Sequence, residues 1–399
     1  MQYLLPIIAM GNFAAGLTSR AIDPVLPQIA HELGISIPTA ATLAAATAIA
    51  FAIVQLPLGA VADLFGKPRL ILTCLVLLGV ANIVGAFTSS FELLLATRVI
   101  CGAAAGGVFP VAMGLTGDLF PINERRVAMS RIMAGALSGN LLGATFSGVL
   151  GDLVGWRGVL IMLGCFILLA SLAVAWGFRG QMGRRRRAID FGALAENYRR
   201  ILTHPHARLC YLGVFAEGTC IMGLYPYVAA FLQQLGEPRL SIAGFVIAGY
   251  AVGGLIYAAT IRRLLPFFGD NGLMVLGAIL IASQIAIIGL GPPWPVQFFD
   301  FMAMGFGFYM LHGGFQLFTS EIAPEARASA VSLQAFVFNS GQFAGPLVYG
   351  AGLVSVGKLP TLLTASAVLV VVGLVCSQLL RYPEGATHTE PAVDAAEGS

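Results

Sequence analysis

Apolar residues run along this chain in long blocks separated by brief polar punctuation. A helix needs about 20 apolar residues to cross a bilayer. Twelve blocks approach or exceed that length, at roughly 5–29, 38–61, 70–88, 93–117, 128–150, 158–178, 208–232, 241–262, 272–290, 296–319, 328–352 and 359–380. We number them spans 1 to 12. Span 1 has no basic stretch before Leu4 and continues too far for a cleaved signal, so it reads as the first crossing. The long interruption at 181–206 holds Arg184 to Arg187, then Phe191, Leu194, Tyr198 and Ile201 at helical spacing. That pattern predicts an amphipathic helix on the membrane surface between two six-helix halves. The expected organisation is a first bundle at 1–180, a basic linker at 181–206, a second bundle at 207–382 and a disordered polar tail at 383–399.

Composition turns the pattern into a class. A length of 399 residues would suit two or three soluble domains, but 58% of the chain is hydrophobic and only 10% is charged. Soluble domains carry about 25% charged residues. The chain is expected to be an all-α membrane protein with twelve transmembrane helices in two pseudo-symmetric bundles. With the N-terminus inside, seventeen of the 22 Lys and Arg side chains fall on the cytoplasmic side. Only Arg157, Arg239 and Lys358 fall outside, and Arg20 and Arg98 lie within the membrane. Both termini are therefore expected in the cytoplasm, with the chain in the inner (plasma) membrane. The six cysteines sit in apolar segments without pairing or metal spacing and read as small hydrophobes.

The two halves repeat at an offset of 202 residues. Phe13, Gly16, Pro24 and Gly34 recur as Phe215, Gly218, Pro226 and Gly236; Gly139, Gly143 and Gly148 recur as Gly341, Gly345 and Gly350. A parallel repeat of six helices places a site between the bundles. The glycines read as packing surfaces where helix backbones approach closely.

The turn after span 2 reads Gly59-Ala-Val-Ala-Asp63-Leu-Phe-Gly66-Lys67-Pro-Arg69. It resembles the signature loop of the major facilitator superfamily, with Leu64 where a basic residue often follows the Asp. Asp23-Pro-Val-Leu-Pro-Gln-Ile-Ala30 is similar to a segment of that superfamily's twelve-helix drug:proton antiporter branch, as is Arg98 followed by Gly102 and Gly106. One motif departs: span 5 has Thr145 and Phe146 where the branch has Gly-Pro, and Gly345-Pro346 stands instead at the repeat-related place in span 11. The resemblance implies a secondary active transporter working by alternating access, with Asp63 accepting from the free N–H groups that open span 11. It further implies proton-coupled efflux of drugs or metabolites. A proton-coupled uptake symporter and a non-transporting sensor are the alternatives. Expected partners are a small-molecule substrate, protons and the lipid bilayer, with the chain acting as a monomer. There is no Walker A loop, no nucleophile elbow and no metal-ligand spacing, so neither an enzyme nor a cofactor, a metal or a nucleic acid is implied.

Charges inside a membrane are costly and mark function. Five are expected there: Arg20, Asp23, Arg98, Glu217 and Asp300. Arg20 and Asp23 share one face of span 1 with Asn12. Asp300 is the repeat mate of Arg98. These two arginines and two aspartates are expected in one neutral network that closes the outer side. Glu217 is left over near the middle of span 7 and is the leading candidate for the coupling proton, with Asp23 and Asp300 next, while Arg20 and Arg98 would compensate them or hold an anionic substrate group. His312, about 18 Å below Asp300 along span 10, is a candidate relay, substrate contact or packing residue. Tyr225, Tyr227, Tyr250 and Tyr309 are candidates for lining an amphipathic cavity.

Overall fold

The computed structural model describes residues 4–179, 191–322 and 327–380, and every regular element among them is helical. In chain order the helices are α1 (Leu4–Thr18), α2 (Leu26–Leu33), α3 (Ile37–Gln55), α4 (Leu58–Phe65), α5 (Lys67–Ala86), α6 (Phe91–Gly106), α7 (Phe109–Leu119) and α8 (Ile122–Gly177). They continue as α9 (Phe191–Thr203), α10 (Pro205–Glu217), α11 (Val228–Gln234), α12 (Leu240–Leu290), α13 (Trp294–Ile322), α14 (Arg327–Ser355) and α15 (Lys358–Leu379). Seven of the described helical stretches are long and apolar enough to cross a membrane.

Two of these are each a pair of crossings. At 1.5 Å per residue, the 56 residues of α8 would reach about 84 Å, far more than the roughly 30 Å of a hydrocarbon core. The chain reverses at Gly155 (φ 70°) in α8 and at Gly269 (φ 62°) in α12, a left-handed conformation that glycine adopts without penalty. Spans 5 and 6 are therefore the two arms of α8, and spans 8 and 9 the two arms of α12. Spans 3, 10, 11 and 12 are α5, α13, α14 and α15. Side chains such as Leu169, Leu172 and Val371 are exposed along these crossings, where lipid would cover them.

The other crossings are broken. Span 1 is α1, a 3-10 turn at Asp23–Val25 and α2; span 7 is α10, a π-turn at Gly218–Met222, a 3-10 turn at Tyr225–Tyr227 and α11. Pro24 and Pro226, repeat mates, sit at the two breaks because proline has no N–H to give a helix. The carbonyls freed there find donors on the neighbouring span of the same half, as hydrocarbon requires. The Ser147 hydroxyl donates to the Ala21 carbonyl in the first half. Its repeat mate Tyr349 donates to the Cys220 carbonyl at 2.6 Å in the second. Spans 2 and 4 are α3 with α4 and α6 with α7.

The repeat extends to individual contacts. A methyl built on Gly139 would collide with the Phe13 carbonyl and lie 3.1 Å from Gly16 Cα; one on Gly341 would collide with the Phe215 carbonyl and lie 3.1 Å from Gly218 Cα. All four partners are offset by 202. Spans 1 and 5, and spans 7 and 11, thus press backbone to backbone. Gly139→Leu or Gly341→Leu should cost about 3 kcal/mol or more, since the obstructing atoms are main chain and cannot rotate away. A thermal melt in detergent that is unchanged in both variants would contradict this packing.

The helix ends distinguish two faces. One carries Lys67, Arg69, Arg125, Arg262 and Arg263, and is called here the basic end. The linker helix α9 docks at this end: Ile201 is buried and the Tyr198 hydroxyl donates to the Leu56 carbonyl at 3.1 Å. The Arg184 to Arg187 run and the tail at 383–399 lie outside the described residues.

At the far end, each of the three basic residues has a partner. Arg157 donates to the Ala86 carbonyl (2.6 Å) and the Thr88 carbonyl (2.7 Å) and pairs with Glu32 at 2.7 Å. Slight burial opposes the Glu32 charge, but hydrogen bonds from Arg157 and Trp156 hold its carboxyl below the usual carboxylate range. Arg239 pairs with Glu237 at 2.7 Å, and the Lys358 ammonium lies 4.5 Å from the centre of the Phe231 ring.

The halves also meet at the far end. Asp152, on the first arm of α8, accepts from the Leu240 N–H (2.8 Å) and the Ser241 N–H (2.9 Å), which open α12 in the other half. A carboxylate there satisfies orphan donors and suits the helix dipole. Below it, Gly148 packs on the Leu240 backbone and Gly244 on the Ala144 backbone. Asp152→Ala should unlatch this contact. We expect hydrogen exchange at the Leu240 and Ser241 amides to rise about tenfold, as removal of a helix cap predicts. Unchanged exchange would mean that Asp152 does not hold the halves together.

Candidate functional site

A cavity of about 300 Å³ lies between the two halves, with a wall drawn from spans 1, 2, 4, 5 and 11. Three of the five expected intramembrane charges line it: Arg20, Asp23 and Arg98. The amides of Asn140, Asn339 and Gln342 and the rings of Phe51 and Phe338 complete the mixed polar and apolar surface.

Arg20 joins the halves. It leaves span 1 at the break after α1, where the unwound backbone turns it towards span 7. Its Nη1 lies 3.7 Å from Asp23 Oδ2 in its own half. Its Nη2 donates to Met222 Sδ (2.8 Å) and to Gln342 Oε1 (2.9 Å) in the other half, and the guanidinium stands 4.6 Å from the centre of the Tyr225 ring. Arg98 is held differently. It is 3% exposed, and it donates to Asn82 Oδ1 (3.1 Å) and the Ala81 carbonyl (3.4 Å). Its Nε has no hydrogen-bond partner, and among the described residues no carboxylate pairs with it.

Glu217 is fully buried and lies 2.8 Å, Oε2 to Nδ1, from His312. It ends α10 immediately before the π-turn, a local widening frequent at functional sites. The His312 ring stacks on Phe308 at 4.9 Å and meets Phe338 edge-on at 5.2 Å. Since Phe338 also lines the cavity, one aromatic side chain belongs to both the cavity wall and the packing around this pair. Glu217 Oε1 has no partner.

Several expected placements change. The neutral network of four charges does not form. Arg20 pairs with Asp23, Arg98 is held by an amide and a carbonyl, and Asp300 is 4% exposed with Oδ2 unpartnered. Asp300 also does not line the cavity. Being a repeat mate of Arg98 puts it at the equivalent depth of the other half, which is a symmetry relation and not a contact.

Asn12, Tyr225, Tyr227, Tyr250 and Tyr309 are likewise absent from the cavity lining. Tyr227 is buried between Phe231 and Tyr349 and donates to the Pro346 carbonyl at 2.7 Å. Tyr225 packs edge-on against Tyr250 and Phe301, behind Arg20. Tyr309 stacks with Tyr257, and Asn12 donates to the Ile8 carbonyl one turn earlier in its own helix.

In the loop after span 2, Gly66 has φ 84° at the junction of α4 and α5. Lys67 donates to Asp118 Oδ2 at 2.7 Å and to the Gly114 carbonyl at 3.3 Å, tying the loop to α7, while Arg69 is exposed. Gly59 lies in α4, while the Asp63 side chain and its expected contact with the start of span 11 lie outside what the structure describes. Asp118 and Asp152 are polar anchors that the sequence reading did not pick out. Asp152 carries the one available signal, an acid three residues before the turn glycine Gly155.

The family model described as Major Facilitator Superfamily matches residues 8–346. The chain is 26% identical over 382 residues to the chloramphenicol resistance protein of Streptomyces lividans, covering 94% of this chain and 95% of that one. It is 26% identical over 343 residues to the quinolone resistance protein NorA of Staphylococcus aureus, covering 83% and 84%. Its fold matches a bacterial homologue of the human lysosomal transporter Spinster, crystallised inward-facing and unoccupied, with TM-score 0.73 and 17% identity over 95% of this chain and 96% of that one.

Proposed function

The chain belongs to the major facilitator superfamily, and from that premise we propose that it is a proton-coupled exporter of small organic compounds. The carrying observation is the Glu217–His312 pair, 2.8 Å apart with Glu217 fully buried, beside the wall of the cavity between the halves. Buried ionisable groups at membrane depth serve as proton carriers in this setting. Relatives named for chloramphenicol resistance, quinolone resistance and multi-drug efflux support this compound class and an outward direction.

In this reading residues 1–180 and 207–382 rock against each other about the cavity, the basic end and both termini face the cytoplasm, and the chain works as a monomer. The far-end contacts through Arg20, Asp152 and Gly148 close the outside, and they part when the site opens outward.

Proteoliposomes loaded at acid pH and diluted into neutral buffer test the reading with chloramphenicol and a fluoroquinolone as probes. Protons leaving an antiporter should drive the compound into the lumen. Accumulation only with the reverse gradient would identify an uptake symporter, and no gradient-driven flux of either probe would overturn the proposal.

A further inference from the structure

Arg98 is a buried guanidinium that lines the cavity without a carboxylate beside it. The other cavity arginine is balanced, since Arg20 faces Asp23. The cavity lining therefore holds two cations against one anion, an excess of one positive charge at Arg98. A buried charge is costly unless it is paired as well as hydrogen-bonded. The Asn82 amide and the Ala81 carbonyl supply hydrogen bonds but no charge, and they take only two of the five guanidinium N–H donors.

We infer that the cavity binds its substrate through an anionic group, a carboxylate set against Arg98, and that the compounds moved are small organic acids or zwitterions. The inference rests on the cavity being the transport site, as proposed above. Guanidinium donors in a rigid plane match a carboxylate and are stronger than neutral hydrogen bonds. The rest of the lining fits the remainder of such a molecule. Phe51 and Phe338 offer apolar faces, and Asn140, Asn339 and Gln342 offer amides for neutral polar groups.

The charge excess also explains why Asn82 matters. Its carbonyl oxygen already lies 3.1 Å from Arg98 Nη1. An aspartate at that place would supply the missing charge from within the protein and leave shape almost unchanged.

The test is binding to purified protein in detergent, by thermal shift and equilibrium dialysis, using matched probes: benzoate against benzamide, cinnamate against cinnamamide. The wild type should bind each carboxylate about tenfold more tightly than its amide, the scale of one charge-assisted contact. Arg98→Gln should erase that preference. Because removing a buried arginine can unfold the chain, Asn82→Asp is the second variant; it keeps Arg98 and should erase the preference as well. Equal affinity for acid and amide in the wild type, or a preference that survives Asn82→Asp, overturns the inference.

The same probes in proteoliposomes separate this inference from the function it rests on. A carboxylate preference without any gradient-driven flux would leave the anion site standing and remove the transporter reading. Gradient-driven flux of chloramphenicol without a carboxylate preference would do the reverse.

Discussion

Glu217→Gln is expected to abolish gradient-driven transport while leaving a folded protein that still exchanges compound down its own gradient. Glu217 and His312 lie 2.8 Å apart with Glu217 fully buried. Such a pair is net neutral in two forms, carboxylate with imidazolium or carboxylic acid with imidazole. Adding a proton leaves it at plus one and removing one leaves it at minus one, and either charge is costly at membrane depth. The pair therefore changes its proton content most readily in the conformation that brings water to it, and this links proton movement to rocking of the halves. Glutamine keeps the shape and a hydrogen bond to His312 but takes up no proton in the physiological range.

The loss should approach 100-fold in initial rate under a pH gradient, the upper range of a coupling free energy between two sites. Counterflow of a labelled fluoroquinolone, a carboxylate zwitterion, should fall little without a gradient, because Glu217 does not line the cavity. His312→Gln, which removes the other proton site, should reproduce the loss. Intact gradient-driven transport in Glu217→Gln would show that the coupling proton is carried elsewhere. Asp300 would then be the next carboxyl to examine, being 4% exposed with an unpartnered oxygen.

The parts of this architecture that repeat were the parts legible in the sequence. Gly139 with Gly16, and Gly341 with Gly218, appear as matched glycines at one offset, and the structure presses them together in matching pairs. Pro24 and Pro226 are likewise visible before the breaks they mark. Arg20 and Asp23 were within reach because they stand three residues apart, although their pair forms at the unwound break after α1 and not on a helix face. The Glu217–His312 pair was not, since 95 residues separate its members and neither has a charged repeat mate to signal the other.

Symmetry also misled. It placed Asp300 with Arg98, although related positions in two halves lie across the pseudo-axis from each other and need not touch. The tyrosines were misplaced for a different reason. Composition shows that aromatic surface is present but not which way it faces, and Tyr227 of span 7 turns inward to donate to the Pro346 carbonyl of span 11.

Arg20→Met should destabilise the protein by about 3 kcal/mol, at the lower end of what breaking a buried ion pair costs. The lower end applies because a fifth of the Arg20 side chain remains accessible, whereas Asp23 is 2% accessible. Methionine preserves the apolar stem against Tyr225, so the loss reads the charge and its hydrogen bonds, not the packing. Most of the cost is a carboxylate left buried without a cation. Arg20→Met combined with Asp23→Asn should therefore be more stable than Arg20→Met alone, and a double-mutant cycle should return a coupling of about 2 kcal/mol. The same bridge reaches Met222 and Gln342 in the other half, so both Arg20 variants should open the far end more readily. Hydrogen exchange at Leu240 and Ser241 would register that opening, although Arg20 touches neither. If the double variant is no more stable than Arg20→Met, the two charges are not energetically paired. Arg20 would then act on the far end through its bonds to Met222 and Gln342 alone.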